Sequence, residues 1–145
     1  MTHSDLKLEI ITQERKLLEA SVSQVIVSTD SGEITILPGH IGLFTKLKEG
    51  LLRFFVEGRV QTVAVFGGFM DVSPSGTVTI LADAADRAED LDLAEIQKAR
   101  LKAEAVLADK HIKPEDFLVA ETALRQIYLK ERAARSRGSG TQKNV

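Results

Sequence analysis

Up to about residue 82 the apolar positions recur at every second residue. Leu6, Leu8 and Ile10 alternate with Lys7 and Glu9, Ile34 and Ile36 flank Thr35, and Val78 and Ile80 alternate with Thr77 and Thr79. That is the period of half-buried strands. Turn-forming clusters punctuate it: Thr29-Asp30-Ser31-Gly32, Pro38-Gly39, Glu57-Gly58, Gly67-Gly68 and Ser73-Pro74-Ser75-Gly76. Short strands at this spacing predict an antiparallel β-sandwich or barrel of about eight to ten strands, because no helical crossover is available to join parallel neighbours.

From about residue 90 the period becomes helical. Ile96, Ala99, Ala103, Val106 and Leu107 share one face, with Lys98, Arg100 and Lys102 pointing more nearly outward. Asp92 with Glu95 three residues later resembles a capping box, so a helix starts near Leu93. The stretch from Asp109 to Pro114 interrupts it, and Pro114, Glu115 and Asp116 suit the first turn of a second helix. Its apolar stripe is Phe117, Ala120, Leu124, Ile127 and Tyr128. So short a connection makes the helices antiparallel neighbours. The alanines along their seam predict a thin, weakly docked hairpin that is free to move. The expected organisation is a sandwich over 1–86, a helical hairpin over 87–135, and a tail over 136–145 with nothing to bury.

Charge adds a second asymmetry. The chain of 145 residues has a formal net charge of −2, yet residues 83–95 carry a net −5 and residues 125–145 a net +5. No residue after Tyr128 is aromatic, which disfavours stacking on bases, so the basic end reads as a contact for an acidic protein surface rather than for nucleic acid. Its plain alternative is a solvated helix end. With no cysteine in the chain, disulfides and thiolate chemistry are excluded. The N-terminal residues lack the pattern of a signal peptide, and no apolar run is long enough for a membrane span, which predicts a cytoplasmic location.

Candidate chemistry is sparse. His3, His40 and His111 are scattered without metal-ligand spacing, and the acidic segment lacks the spacing of a calcium loop, so no metal site is expected. No phosphate-loop or nucleophile-elbow pattern occurs, and Gly67-Gly68 reads as a strand bend. His40 reads as a turn residue that contacts a partner rather than as a general base.

The motifs then carry a family resemblance. Gly32, Glu33, Pro38, Gly39 and His40 match a G-E-x-x-x-x-P-G-H pattern, Phe66-Gly67-Gly68-Phe69-Met70-Asp71-Val72 a second, and Val78 to Asp83 a third. In this order, ahead of a helical hairpin, they resemble the epsilon subunit of the rotary, proton-translocating ATP synthase, over residues 5 to about 135. The resemblance implies a non-catalytic subunit of the central stalk, without a cofactor, whose sandwich binds the gamma subunit and the ring of c subunits. It implies a hairpin that either folds on the sandwich or extends toward the catalytic beta subunits and inhibits ATP hydrolysis. It also implies a place at the cytoplasmic face of the membrane, peripheral and through the complex.

Residues follow from the same resemblance. Ser31, Gly32, Glu33, Pro38, Gly39 and His40 become the expected ring contact, and Arg125, Lys130, Arg132 and Arg135 the expected inhibitory contact. Some family members bind ATP through an [IL]-D-x-x-R-A motif. Asp92 keeps part of it here, with Arg100 and Lys102 as further phosphate partners, but Glu95 stands in place of the arginine, so nucleotide binding is expected to be weak or absent. The second reading is a free-standing nucleotide-sensing module that uses the hairpin as a clamp. An enzyme ranks third, because no constellation supports one.

Overall fold

The computed structural model describes residues 5–137. Ten strands come first: β1 (Leu6–Ile11), β2 (Lys16–Val22), β3 (Val25–Thr29), β4 (Gly32–Ile36), β5 (Leu43–Leu47), β6 (Gly50–Val56), β7 (Arg59–Val65), β8 (Gly68–Val72), β9 (Thr77–Ala82) and β10 (Ala85–Arg87). A single 3-10 turn (Ala88–Asp90) leads into α1 (Leu93–Ala108) and α2 (Pro114–Ser136). The tail expected from residue 136 lies outside the described residues beyond Arg137, and Ser136 still belongs to α2.

The strands hydrogen-bond in the order β10-β7-β6-β3-β5-β8-β9-β1-β2, and β4 pairs with β3. β2 returns against β6, so the two halves close over one core. Leu6, Leu8 and Ile10 of β1, Phe54 of β6, Met70 of β8 and Ile80 of β9 are buried in it. Alternation along each strand sends these side chains inward and their neighbours to solvent, as the two-residue period requires.

One pairing departs from the antiparallel expectation. β1 runs parallel to β9, with Leu8 beside Val78 and Ile10 beside Ile80. A parallel pair needs a long crossover, and here the intervening sandwich supplies it in place of a helix.

Backbone geometry accounts for two of the turn clusters. Glu57 and Gly58, the two residues between β6 and β7, both have positive φ (51° and 79°), as a type I′ hairpin requires. Gly68 has φ +131°, and a Cβ there would lie 2.1 Å from the Leu81 carbonyl oxygen, so β8 and β9 can approach only over a glycine.

The hairpin begins as its sequence predicts. Asp92 accepts hydrogen bonds from the Ala94 and Glu95 amides at 2.9 and 3.4 Å and caps α1, while Pro114 opens α2 with Glu115 and Asp116 in the first turn. The expected apolar stripe of α2 is corrected at both ends. Phe117 and Tyr128 are exposed, and the anchors are Ala120, Leu129, Ala133 and Ala134. The second half of α2 faces both α1 and the sandwich, so its buried surface is wider than one stripe. Leu129 and Ala133, one turn apart, join Ala64, Phe66 and Ala88 in a small second cluster. α2 thus packs on β6, β7 and the 3-10 turn, whereas α1 packs principally on α2.

Candidate functional site

The six residues expected at the ring fall at opposite ends of β4. Ser31 and Gly32 form the tip of the β3–β4 hairpin, where the Ser31 amide donates to Thr29 Oγ1 (3.2 Å) and that hydroxyl donates to the Gly32 carbonyl (2.7 Å). Glu33 stands beside them, paired with Arg53 of β6 at 2.9 Å. Beyond the other end of β4, the His40 amide donates to the Leu37 carbonyl at 3.1 Å, and Gly39 has φ +87°. Pro38 followed by a positive-φ glycine makes this a type II turn. The His40 ring closes on the next residue: its Nδ1 lies 2.7 Å from the Ile41 carbonyl oxygen, which can only accept, so Nδ1 carries the proton. Five residues of extended strand separate the two groups by roughly 17 Å. The six residues thus lie in two separate groups, not in one patch.

The turn at His40 leads into β5 and an outward apolar stripe that sequence reasoning missed. Phe44 of β5 and Phe69 of β8 are 65% and 43% exposed, and their rings stack at 5.7 Å between centroids with an interplanar angle of 16°. Phe69 is paired across the ladder with Leu81 of β9, which is 46% exposed, and Leu81 lies beside Ile11 of β1. Two stacked phenylalanines, a leucine and an isoleucine therefore cross four adjacent strands on the solvent face. Apolar residues joined in this way mark a docking surface rather than scattered exposure. The signal was in the sequence, at the outward positions of the alternation, but which strands adjoin is a long-range property. Beyond Leu81 the same face turns ionic: Lys7 contacts Glu9 and Glu19 at 3.3 and 3.0 Å, and Lys16 contacts Glu19 at 3.0 Å. Hydrogen bonds from Lys7 and Lys16 hold the Glu19 carboxyl below the usual carboxylate range.

Three of the four cations expected at an inhibitory contact are engaged within the chain. Arg125 lies 3.7 Å from Glu49, Lys130 lies 3.6 Å from Asp86 and over the Phe66 ring, and Arg135 meets Glu131 at 2.9 Å. Arg132 is exposed. The basic end and the acidic segment thus meet each other in this conformation, through Lys130 and Asp86. Arg137 adds a hydrogen bond to the Leu91 carbonyl at 2.7 Å, tying the end of α2 to the start of α1.

The expected nucleotide partners do not converge. The Asp92 carboxylate is occupied by its cap, and Lys102 stands ten residues along α1, a rise of roughly 15 Å. Arg100 was expected to face outward and instead turns into the seam, one helical turn beyond the buried Ile96. Its Nη1 donates to both oxygens of Glu131 at 3.1 and 3.0 Å. Glu131, only 9% exposed, also accepts from Arg135 Nε and Nη2 at 3.2 and 2.9 Å. The Arg135 hydrogen bonds, aided by the Arg100 charge, hold its carboxyl below the usual range against the opposing effect of burial. Tyr128 donates to Glu104 at 3.3 Å on the edge of the same cluster, and burial and that carboxylate raise its phenol. Between the helix tips lies an open groove of about 660 Å³ lined mainly by apolar residues such as Ala103, Val106, Val119 and Ile127. No three His, Asp or Glu side chains converge on a possible metal site among the described residues.

A β-sandwich with an outward apolar stripe, carrying a hairpin docked through one of its two helices, defines a protein-docking module. The profile of the ATP synthase Delta/Epsilon chain beta-sandwich domain matches residues 5–88. An ATP synthase epsilon chain from Herpetosiphon aurantiacus is 39% identical over 132 residues, 91% of this chain and 96% of that one. Another from Pelotomaculum thermopropionicum is 42% identical over 110 residues, 76% of this chain and 81% of its own length. The chain belongs to the ATP synthase epsilon chain family. Among solved structures, a chain of the Euglena gracilis mitochondrial ATP synthase OSCP/F1/c-ring assembly superimposes with a TM-score of 0.75 at 25% identity, covering 92% of this chain and 83% of that one. A chain of the Tetrahymena thermophila central stalk and c-ring shares the fold, with a TM-score of 0.55 at 13% identity. No helix among the described residues is long and apolar enough to cross a membrane.

Proposed function

We propose that this chain is a non-catalytic central-stalk subunit of a rotary ATP synthase, seated on the gamma subunit through the Phe44, Phe69 and Leu81 face and peripheral to the membrane on its cytoplasmic side. The exposed stripe carries the reading. Apolar side chains held on a closed sandwich present a rigid surface, and a rotor joint that transmits torque needs rigidity at its contacts. The type II turn at Pro38-Gly39-His40 adjoins that face and flanks the same partner. The hairpin tip at Ser31, Gly32 and Glu33, at the far end of β4, is the part that meets the c ring.

The hairpin is the regulatory part. Folded down, it spends Arg125, Lys130 and Arg135 on partners in its own chain. Extended, it frees Arg125 and Lys130 from the sandwich, so that the basic end can meet acidic surface on a catalytic beta subunit and restrain hydrolysis. Co-purification tests the assignment: the full chain should elute with recombinant gamma and, with gamma present, bind c rings. A chain that elutes alone in both experiments is not a stalk subunit.

A further inference from the structure

Glu131 is the single carboxylate among residues 125–145, against six cations, and it is one of two buried polar or charged residues among those described. Its place is peculiar because it holds both helices at once. Arg100 reaches it from α1, across the seam, and Arg135 from one turn further along α2. Apart from buried Ile96 and the Tyr128–Glu104 hydrogen bond, α1 packs on α2 through small residues, and near the tips Val106 and Val119 stay exposed around an open groove. The cluster is also incompletely satisfied. Arg100 Nε is buried without a hydrogen bond, 3.7 Å from Glu104, so the guanidinium gives up water for fewer bonds than it can make.

We propose that Arg100, Glu131 and Arg135 form an ion latch that keeps the two helices closed, and that its release sets the hairpin free without first unseating α2 from the sandwich. The two attachments are separate. The latch lies between the helices, whereas α2 meets the sandwich through Leu129, Ala133 and Lys130. While closed, the latch divides Glu131 between Arg100 and Arg135; opening frees Arg100 of α1 and leaves Glu131 to Arg135, one turn along the same helix. What the open state does in the complex rests on the regulatory role proposed above, but the opening itself is a property of this chain alone.

Because the chain contains no cysteine, Ala105→Cys with Glu121→Cys places a spin-label pair across the seam of the full-length protein, and Arg59→Cys with Glu121→Cys one between the sandwich and α2. Glu131→Gln should raise the open fraction across the seam at least about tenfold while the second distance holds. Breaking one side of a buried pair strands the other charge, whereas exchanging the two charges keeps an ion pair across the seam. Arg100→Glu with Glu131→Arg should therefore restore the closed distance. A seam distance unchanged by Glu131→Gln, or a double variant as open as the single one, overturns the latch. Hydrolysis by the assembled enzyme reads the other claim: if Glu131→Gln opens the seam and the rate does not fall, the latch stands and the inhibitory role does not.

Discussion

At Glu57 a side chain occupies a backbone position suited to glycine or asparagine. Its φ of 51° costs an L-residue about 1 kcal/mol, so Glu57→Asn should raise the stability of the sandwich by about that amount in urea melts. Gly68 carries the opposite expectation. Gly68→Ala would drive a methyl into the Leu81 carbonyl and should destabilise by on the order of 3 kcal/mol, with loss of soluble protein as the first sign. Both turns were legible because Glu-Gly and Gly-Gly between alternating segments name a conformation as well as a break. Arg100 was not. It lies four residues beyond Ile96 and shares its face, but a charged side chain on an apolar face reads as outward until its partner is known, and Glu131 is 31 residues away.

Among the elements, the hairpin is the least firmly held. Its docking on the sandwich centres on Leu129 in a small cluster with Phe66 and three alanines. Leu129→Ala should remove about 2 to 4 kcal/mol from that docking. Protease cleavage between α1 and the sandwich should quicken while the melting of the sandwich core is unchanged. Acid should act on the seam instead. The folded-state carboxyl of Glu131 sits below its ordinary value, so its contribution is complete above the unfolded pKa of about 4.3 and is lost as pH falls through the lower folded value. The helices should therefore stay closed at about pH 6 and part only in acid below the ordinary carboxylate range. Labels across the seam measure this directly. The existence of both helices and the cap at Asp92 were visible in the sequence, because caps and periodicity are local. The surface α2 buries was not, since two neighbours at an angle demand more than one stripe.

Across the whole molecule, the change of period near residue 90 marks a division of labour that the two separate clusters support physically. The main core draws only on strands and their flanks, so a chain ending at Glu89 should fold, bind gamma and sustain proton-coupled ATP synthesis, although exposure of Phe66 will lower its solubility. The sandwich was legible as a class, whereas the parallel β1–β9 pair and the stripe it helps to complete depend on which strands end up adjacent. That stripe carries the account. Calorimetric titration of recombinant gamma with the full chain and with a Phe44→Asp, Phe69→Asp variant tests it most directly. Each phenylalanine projects from the solvent side, so the variant should melt as the parent does and yet bind gamma at least about 100-fold more weakly, as removal of two central aromatic anchors requires. Equal affinities for two equally folded proteins would contradict the account and place the stalk contact on another face.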